Sequence, residues 1–341
     1  AAGKEMGTEA VVLPGPAARE GLMDILGKDE LCEVVQHLDF IDAFALALVD
    51  RRLRDVVRSK FPASYGHGWR FLSTIGPAMR SLSRAQWAVR AGCPLNARTF
   101  RVAAQAGNVA VLAWLKEQGC PWAPSTATAA AEAGHLDVMA WLAAHGAPWS
   151  ATTSAAAAAR GHVALLKWIV AEGCPADEYT ASAAAGGGSL DALAWLVARG
   201  CPWNEDTTAA AAARGHLAVL DWARSRGCPW DERCFAAAAR GGHVRVLRYL
   251  HASGCRCDSA ACTAAAGAGQ LQALKWLRDH ACAWDEDTFA AAAANGQMEV
   301  LKWLRLHGCP QNAAASWAAD IAGHTHVTKW LRAVGDLGYA S

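Results

Sequence analysis

From Cys93 onward the apolar and small positions of this chain recur with a fixed step. Gly107, Gly134, Gly161, Gly188, Gly215, Gly242, Gly269, Gly296 and Gly323 fall 27 residues apart without slippage. Trp87, Trp114, Trp141, Trp168, Trp195, Trp222, Tyr249, Trp276, Trp303 and Trp330 keep the same spacing. A third series runs Cys93, Cys120, Cys174, Cys201, Cys228, Cys255, Cys282 and Cys309, with Ala147 in its one gap. Three phased series at one period are the signature of a repeat array, in which each unit buries its apolar face against its neighbours.

The unit from Cys201 to Gly227 predicts two helices. Gly200 and Pro202 punctuate a loop, and Asn204 follows as an N-cap whose side chain accepts from a free first-turn amide. Eight of nine units place Asn, Asp or Ser there; the ninth has Ala123, followed by Pro124 at a position where helices tolerate proline. Glu205 and Asp206 sit opposite the positive end of the helix dipole. The first helix runs to Arg214 and stops at Gly215. After His216 a second helix starts, with Leu217, Val219, Leu220 and Trp222 on one face. Alanine in the first helix lets backbones approach, and the indoles of the second fill the space behind.

The pattern A-A-x-x-G-H-x-x-V-x-K-x-L, as in Ala156 to Ile169 or Ala237 to Leu250, resembles the ankyrin repeat. The usual ankyrin unit has 33 residues and a T-P-L-H start, whereas this one is six shorter and begins as Asp285 to Phe289 does. It is similar to a short, Trp-rich ankyrin variant whose missing residues come from the projecting hairpin. The resemblance implies an all-α, ankyrin-like helical solenoid of nine 27-residue helix-turn-helix repeats over residues 93–335, with an N-terminal small helical bundle. It also implies a protein partner, held by hairpin tips and a concave strip of first helices.

Ahead of the array we distinguish a tail (1–20), a helical segment (21–60), a linker with half a repeat (61–92) and, after it, a short tail (336–341). Asp29 to Val57 resembles an F-box, a small helical bundle that docks on the adaptor of a cullin-RING ubiquitin ligase. Leu31, Val34, Val35 and Leu38 have helical spacing, Asp39 marks a turn, and Phe44 and Leu48 begin a second apolar stripe. By this resemblance those six apolar residues face the adaptor. Lys28 and Leu53 stand where the family commonly has proline and tryptophan. The other reading is a helical cap on the first repeat, since solenoid ends need covering.

Charge narrows the function further. The chain has 32 Lys+Arg against 31 Asp+Glu, a formal net charge of +1, and the balance holds on both sides of Cys93. A basic footprint for nucleic acid is therefore missing. Ala1 to Pro16 carries Lys4, Glu5 and Glu9 and has no uninterrupted apolar core, so no signal peptide is predicted, and no window reaches the ~18 apolar residues of a membrane helix.

Residues that could carry chemistry repeat too regularly to do so. The 12 cysteines form no C-x-x-C pair. Equivalent positions in stacked repeats lie ~8–10 Å apart, beyond the ~7 Å reach of a disulfide, so they are expected as a ladder of small reduced residues in an intracellular protein, cytoplasmic or nuclear. Cys234, Cys255, Cys257 and Cys262 lack a zinc spacing. His135, His162, His216, His243 and His324 share one structural task, hydrogen bonding near the start of the second helix. Trp122, Trp149, Trp203, Trp230 and Trp284 precede the first-helix cap and read as hydrophobic staples, Trp230 onto Phe235 and Trp284 onto Phe289. Arg248, Lys275, Lys302 and Lys329 form a solvated stripe. Gly186 to Gly188 reads as a loosened helix end. With no catalytic or nucleotide motif present, the sequence predicts no enzyme, no cofactor and no metal.

Within the unit, the two residues after the first-helix cap vary while the framework stays fixed. Tyr179, Asp206 and Arg233 are the expected partner contacts, because tyrosine and arginine are enriched at interface hot spots.

Overall fold

A computed structural model describes residues 75–90 and 93–333. The chain divides into two compact units, residues 1–95 and 96–341, and each is described by itself. In the first lie α1 (Ile75–Ala78) and α2 (Leu82–Arg90). The second is a succession of helix pairs: α3 (Ala97–Ala106) and α4 (Val109–Glu117), α5 (Pro124–Ala133) and α6 (Leu136–Ala144), α7 (Ala151–Ala159) and α8 (Val163–Ala171), α9 (Glu178–Gly186) and α10 (Leu190–Ala198), α11 (Glu205–Ala213) and α12 (Leu217–Ser225), α13 (Arg233–Arg240) and α14 (Val244–Ala252), α15 (Ser259–Gly267) and α16 (Leu271–Asp279), α17 (Glu286–Ala294) and α18 (Met298–Leu306), α19 (Ala314–Ile321) and α20 (Thr325–Ala333). Among the described residues there is no strand, and the nine pairs follow the period of the sequence.

Each first helix begins as the local chemistry directs. Asn96 Oδ1 accepts from the Arg98 and Thr99 amides at 3.0 Å, and Asp177 and Asp285 accept from Thr180 and Thr288. The return half of the cap, which the sequence reading missed, is a threonine three residues on. Its hydroxyl accepts from the N-cap amide at Thr126, Thr153, Thr180, Thr207 and Thr288, all fully buried. Ala123 is thus served by Thr126 despite lacking a capping side chain.

The first helices of neighbouring repeats pack along their length, while the second helices of neighbouring repeats touch sparsely. Side-chain size explains the difference. Ala103, Ala130, Ala157, Ala184, Ala211, Ala238, Ala265 and Ala292 are buried on the first row, whereas leucines such as Leu112, Leu166 and Leu220 fill the second. Gly187 belongs to this close packing: a Cβ there would collide with the Ala159 carbonyl. The Gly186–Gly188 run does end the helix, and at Gly187 it is also a tight crossing between repeats.

The histidines do hydrogen-bond, but backwards across the repeat boundary. Nε2–H of His135, His162 and His243 donates to the carbonyls of Gln105, Glu132 and Ala213 at 3.0–3.1 Å, each at the C-terminal end of the preceding first helix.

The cysteine ladder is built the same way. Cys120, Cys174, Cys201, Cys228, Cys255 and Cys309 donate through Sγ to the carbonyl 24 residues earlier, just ahead of the first helix, at 3.3–3.5 Å. Burial pushes Cys201 and Cys255 up to about 11 and Cys228 and Cys309 up to about 12.

One expectation fails here. Cys257 and Cys282 form a disulfide with a Cα–Cα separation of 5.8 Å. The spacing argument compared equivalent positions, and these are not equivalent. Cys282 is a ladder residue, whereas Cys257 occupies the place of a loop tryptophan one repeat before Trp284, and it reaches the ladder of the next repeat.

Candidate protein-binding surface

Tyr179, Asp206 and Arg233 occupy the same first-turn position in α9, α11 and α13, one repeat apart. The residue after each of the first two, Thr180 or Thr207, is fully buried in the capping box, so the helix start is rigid beneath an exposed side chain. Tyr179 is 59% exposed. Arg233 spans two repeats: Nη1 donates to Asp206 at 2.7 Å, while Nε donates to Asp231 at 2.6 Å. The Asp231 hydrogen bond and charge, and then Asp206, hold the guanidinium pKa above its ordinary value. The structure thus joins Asp206 to Arg233 directly and leaves Tyr179 one repeat away.

Further along the first row, α13, α15 and α17 border a shallow groove of about 530 Å³. Its floor is alanine and glycine, including Ala264, Gly267 and Ala291, and Arg240 stands on its edge.

Trp230 and Trp284 pair with rings other than the expected Phe235 and Phe289. Each loop tryptophan turns to the second-helix ring of its own repeat: Trp122 to Trp141, Trp149 to Trp168, Trp203 to Trp222, Trp230 to Tyr249 and Trp284 to Trp303, at 5.8–6.2 Å between ring centroids. A cation from the preceding second helix covers several of them: Lys116 lies 4.8 Å from Trp122, Arg224 4.5 Å from Trp230, and Arg278 3.9 Å from Trp284. Phe235 and Phe289 are fully buried instead. The partner ring lies 19 residues away, on the second helix, where spacing within one helix could not reveal it.

In the basic stripe, Lys302 pairs with Glu299 at 2.9 Å on its own helix, and Arg248 and Lys329 are exposed. No helix of the described residues is long and apolar enough to cross a membrane. Leu31, Val34, Val35, Leu38, Phe44 and Leu48, the expected adaptor contacts, lie outside the described residues.

Residues 127–170, from α5 through α8, match the family model described as ankyrin repeats, many copies. In this segment the chain is similar to ankyrin repeats. Among solved structures, the crystal structure of the human ASB11 ankyrin repeat domain is similar at 18% identity and a TM-score of 0.37, over 46% of this chain and 83% of that one. No curated protein matches the sequence.

Proposed function

We propose that this chain is a protein-binding scaffold and that its partner is read by the first-turn strip of the ankyrin-like array. The observation that carries the reading is the contrast within one turn of helix. Beside a buried framework position, held by Thr180, Thr207 and Cys234 in these three repeats, stand a largely exposed tyrosine and an exposed ion pair that links two repeats. Solenoids use such extended surfaces, assembled from equivalent positions of successive units, to hold partners. The test is a Tyr179→Ala, Asp206→Ala, Arg233→Ala triple variant, assayed against proteins captured by the unaltered chain. Helical circular dichroism should persist and Tm should stay within a few degrees, because these side chains are exposed. Affinity should fall at least tenfold, ~1.4 kcal/mol. Unchanged affinity with an intact fold would reject this strip.

A more specific role, substrate receptor of a cullin-RING ubiquitin ligase, is supported by the F-box resemblance of Asp29 to Val57 standing ahead of a repeat array. In this role Leu31, Val34, Val35, Leu38, Phe44 and Leu48 bind the adaptor and the array selects the protein to be modified. Adaptor pull-down decides it. Binding by the unaltered chain that is abolished by Leu31→Asp with Leu38→Asp supports the role. If the chain does not bind, or if the double variant binds equally well, the N-terminal segment is a cap and the chain a plain scaffold.

A further inference from the structure

Five of the nine repeats place a loop indole against the ring of their own second helix; Leu95, Cys257 and Gln311 stand there in the first, seventh and ninth, and the fourth has the smallest side chain of all. Ala176 stands at the loop position there, while its partner ring, Trp195, is kept. The neighbouring cation is missing as well. Val170 occupies the place from which Lys116, Arg224 and Arg278 cover the indoles of other repeats. What remains is an open recess of about 250 Å³ walled by Val170, Ala176, Trp195 and Leu196, with Arg199 and Pro202 at its edge. Arg199 lies over Trp195 at 5.3 Å from the ring centroid.

We propose that this recess receives an aromatic side chain of a partner polypeptide, tryptophan above all, in the place that other repeats fill with their own indole. The molecule itself shows the complementary shape: an indole approaching the second-helix ring at 5.8–6.0 Å, edge to face or tilted. Space is sufficient, since an engineered cavity of ~150 Å³ already accepts benzene. Val170 makes this wall apolar, as Ala143 and Val197 do beside the indoles of Trp149 and Trp203. Arg199 at the edge favours a backbone carbonyl or a carboxylate next to that ring. Exposed aromatic anchors seated in preformed pockets are the usual centre of a protein interface.

The proposal rests on the protein-binding reading for the carrier of the ring, but the recess can be tested alone. The probes are indole and N-acetyltryptophanamide, added to the full chain and followed by ligand-observed NMR. Ala176→Trp should restore the repeat's usual ring pair, keep or raise Tm, and weaken probe binding at least tenfold. Ala176→Leu, a smaller plug, serves if the tryptophan variant does not fold, and Trp195→Ala should also lose the probe. The recess is rejected if the unaltered chain binds neither probe at millimolar concentration, or if a folded plug variant binds as well as the unaltered chain. Polypeptide partners captured equally well by Ala176→Trp would overturn the assignment of the ligand to a partner. Failure of the first-turn strip would instead appear in the Tyr179, Asp206, Arg233 variant, whose probe binding should be intact.

Discussion

His135 lies against Gly107, and the two form one joint between repeats. Gly107 has φ 81° and ends α3, and the imidazole occupies the space where a side chain would stand while Nε2–H satisfies the Gln105 carbonyl. The last carbonyls of a helix have no partner inside it, so a ring from the next repeat both closes the helix and fixes the stacking. The same contact recurs for Gly134 with His162, Gly188 with His216, Gly215 with His243 and Gly296 with His324.

Two glycines with nearly equal φ separate backbone strain from this joint. A Cβ at Gly119, φ 73°, meets nothing within 4 Å, while one at Gly107 would lie 2.5 Å from the His135 ring. Gly119→Ala should cost about 1–2 kcal/mol, the left-handed penalty alone. Gly107→Ala should cost at least ~1 kcal/mol more, because the displaced ring gives up its hydrogen bond. Urea denaturation of the two variants checks this, and equal losses would show that the joint contributes nothing.

Ala281 offers the reverse experiment. It is the one non-glycine with positive φ, 58°, among the described residues, and it sits where the other repeats have glycine. Ala281→Gly should stabilise the chain by about 0.5–1 kcal/mol, since relief of strain exceeds the added freedom of the unfolded backbone. A lower Tm for this variant would contradict that account.

The cysteine ladder sets a limit on alkaline stability. Its thiols have an ordinary pKa of 9.0 and are raised by burial, to about 11 at Cys201 and Cys255 and about 12 at Cys228 and Cys309. Above pH 9 the unfolded chain releases protons that the folded chain retains, so the unfolded state binds fewer protons and stability falls with pH. The decline should begin near pH 9 and continue to pH 11–12, where the folded thiols ionise as well. Tm measured from pH 8 to 11 should fall less steeply for a Cys228→Ala, Cys309→Ala variant than for the unaltered chain.

Much of this architecture was legible because each unit repeats the same local signals. N-cap, glycine stop and apolar face are properties of neighbouring residues, and Asn204, Gly215 and Leu220 do what their spacing predicts. What could not be read is what crosses from one unit to another. Nothing near His135 in sequence points to Gln105, 30 residues back, and nothing near Trp230 chooses Tyr249 over Phe235. That Tyr179, Asp206 and Arg233 share one position of successive repeats is legible in the sequence, but not that Arg233 bridges to Asp206. The vacancy beside Trp195 shows in the sequence as Ala176 breaking the tryptophan series, a departure that gains meaning only once the ring pairs are known.

The disulfide sits in a repeat that lacks three contacts found in others, and this gives the last prediction. The seventh repeat lacks a loop indole, and Ala261 replaces the capping threonine. Asp258 starts α15 without a side-chain cap bond, and its buried Oδ1 has no hydrogen-bond partner. Three contacts that fasten other repeats are thus missing, and the Cys257–Cys282 bond takes their place by tying this loop to the start of the next repeat. Closing a loop of 25 residues removes unfolded-state freedom corresponding to about 3.5 kcal/mol. Because repeats communicate only with neighbours, the loss on reduction should be local. Under dithiothreitol, or in Cys257→Ser, amide exchange should accelerate in α15 to α17 and stay unchanged in α3 to α6. Cys257→Trp should recover part of the protection without a disulfide, because it rebuilds the ring pair with Trp276 and frees Cys282 for the N-cap carbonyl of Asp258. Uniform acceleration along the array, or none in α15 to α17, would show that the bond is not what fastens this repeat.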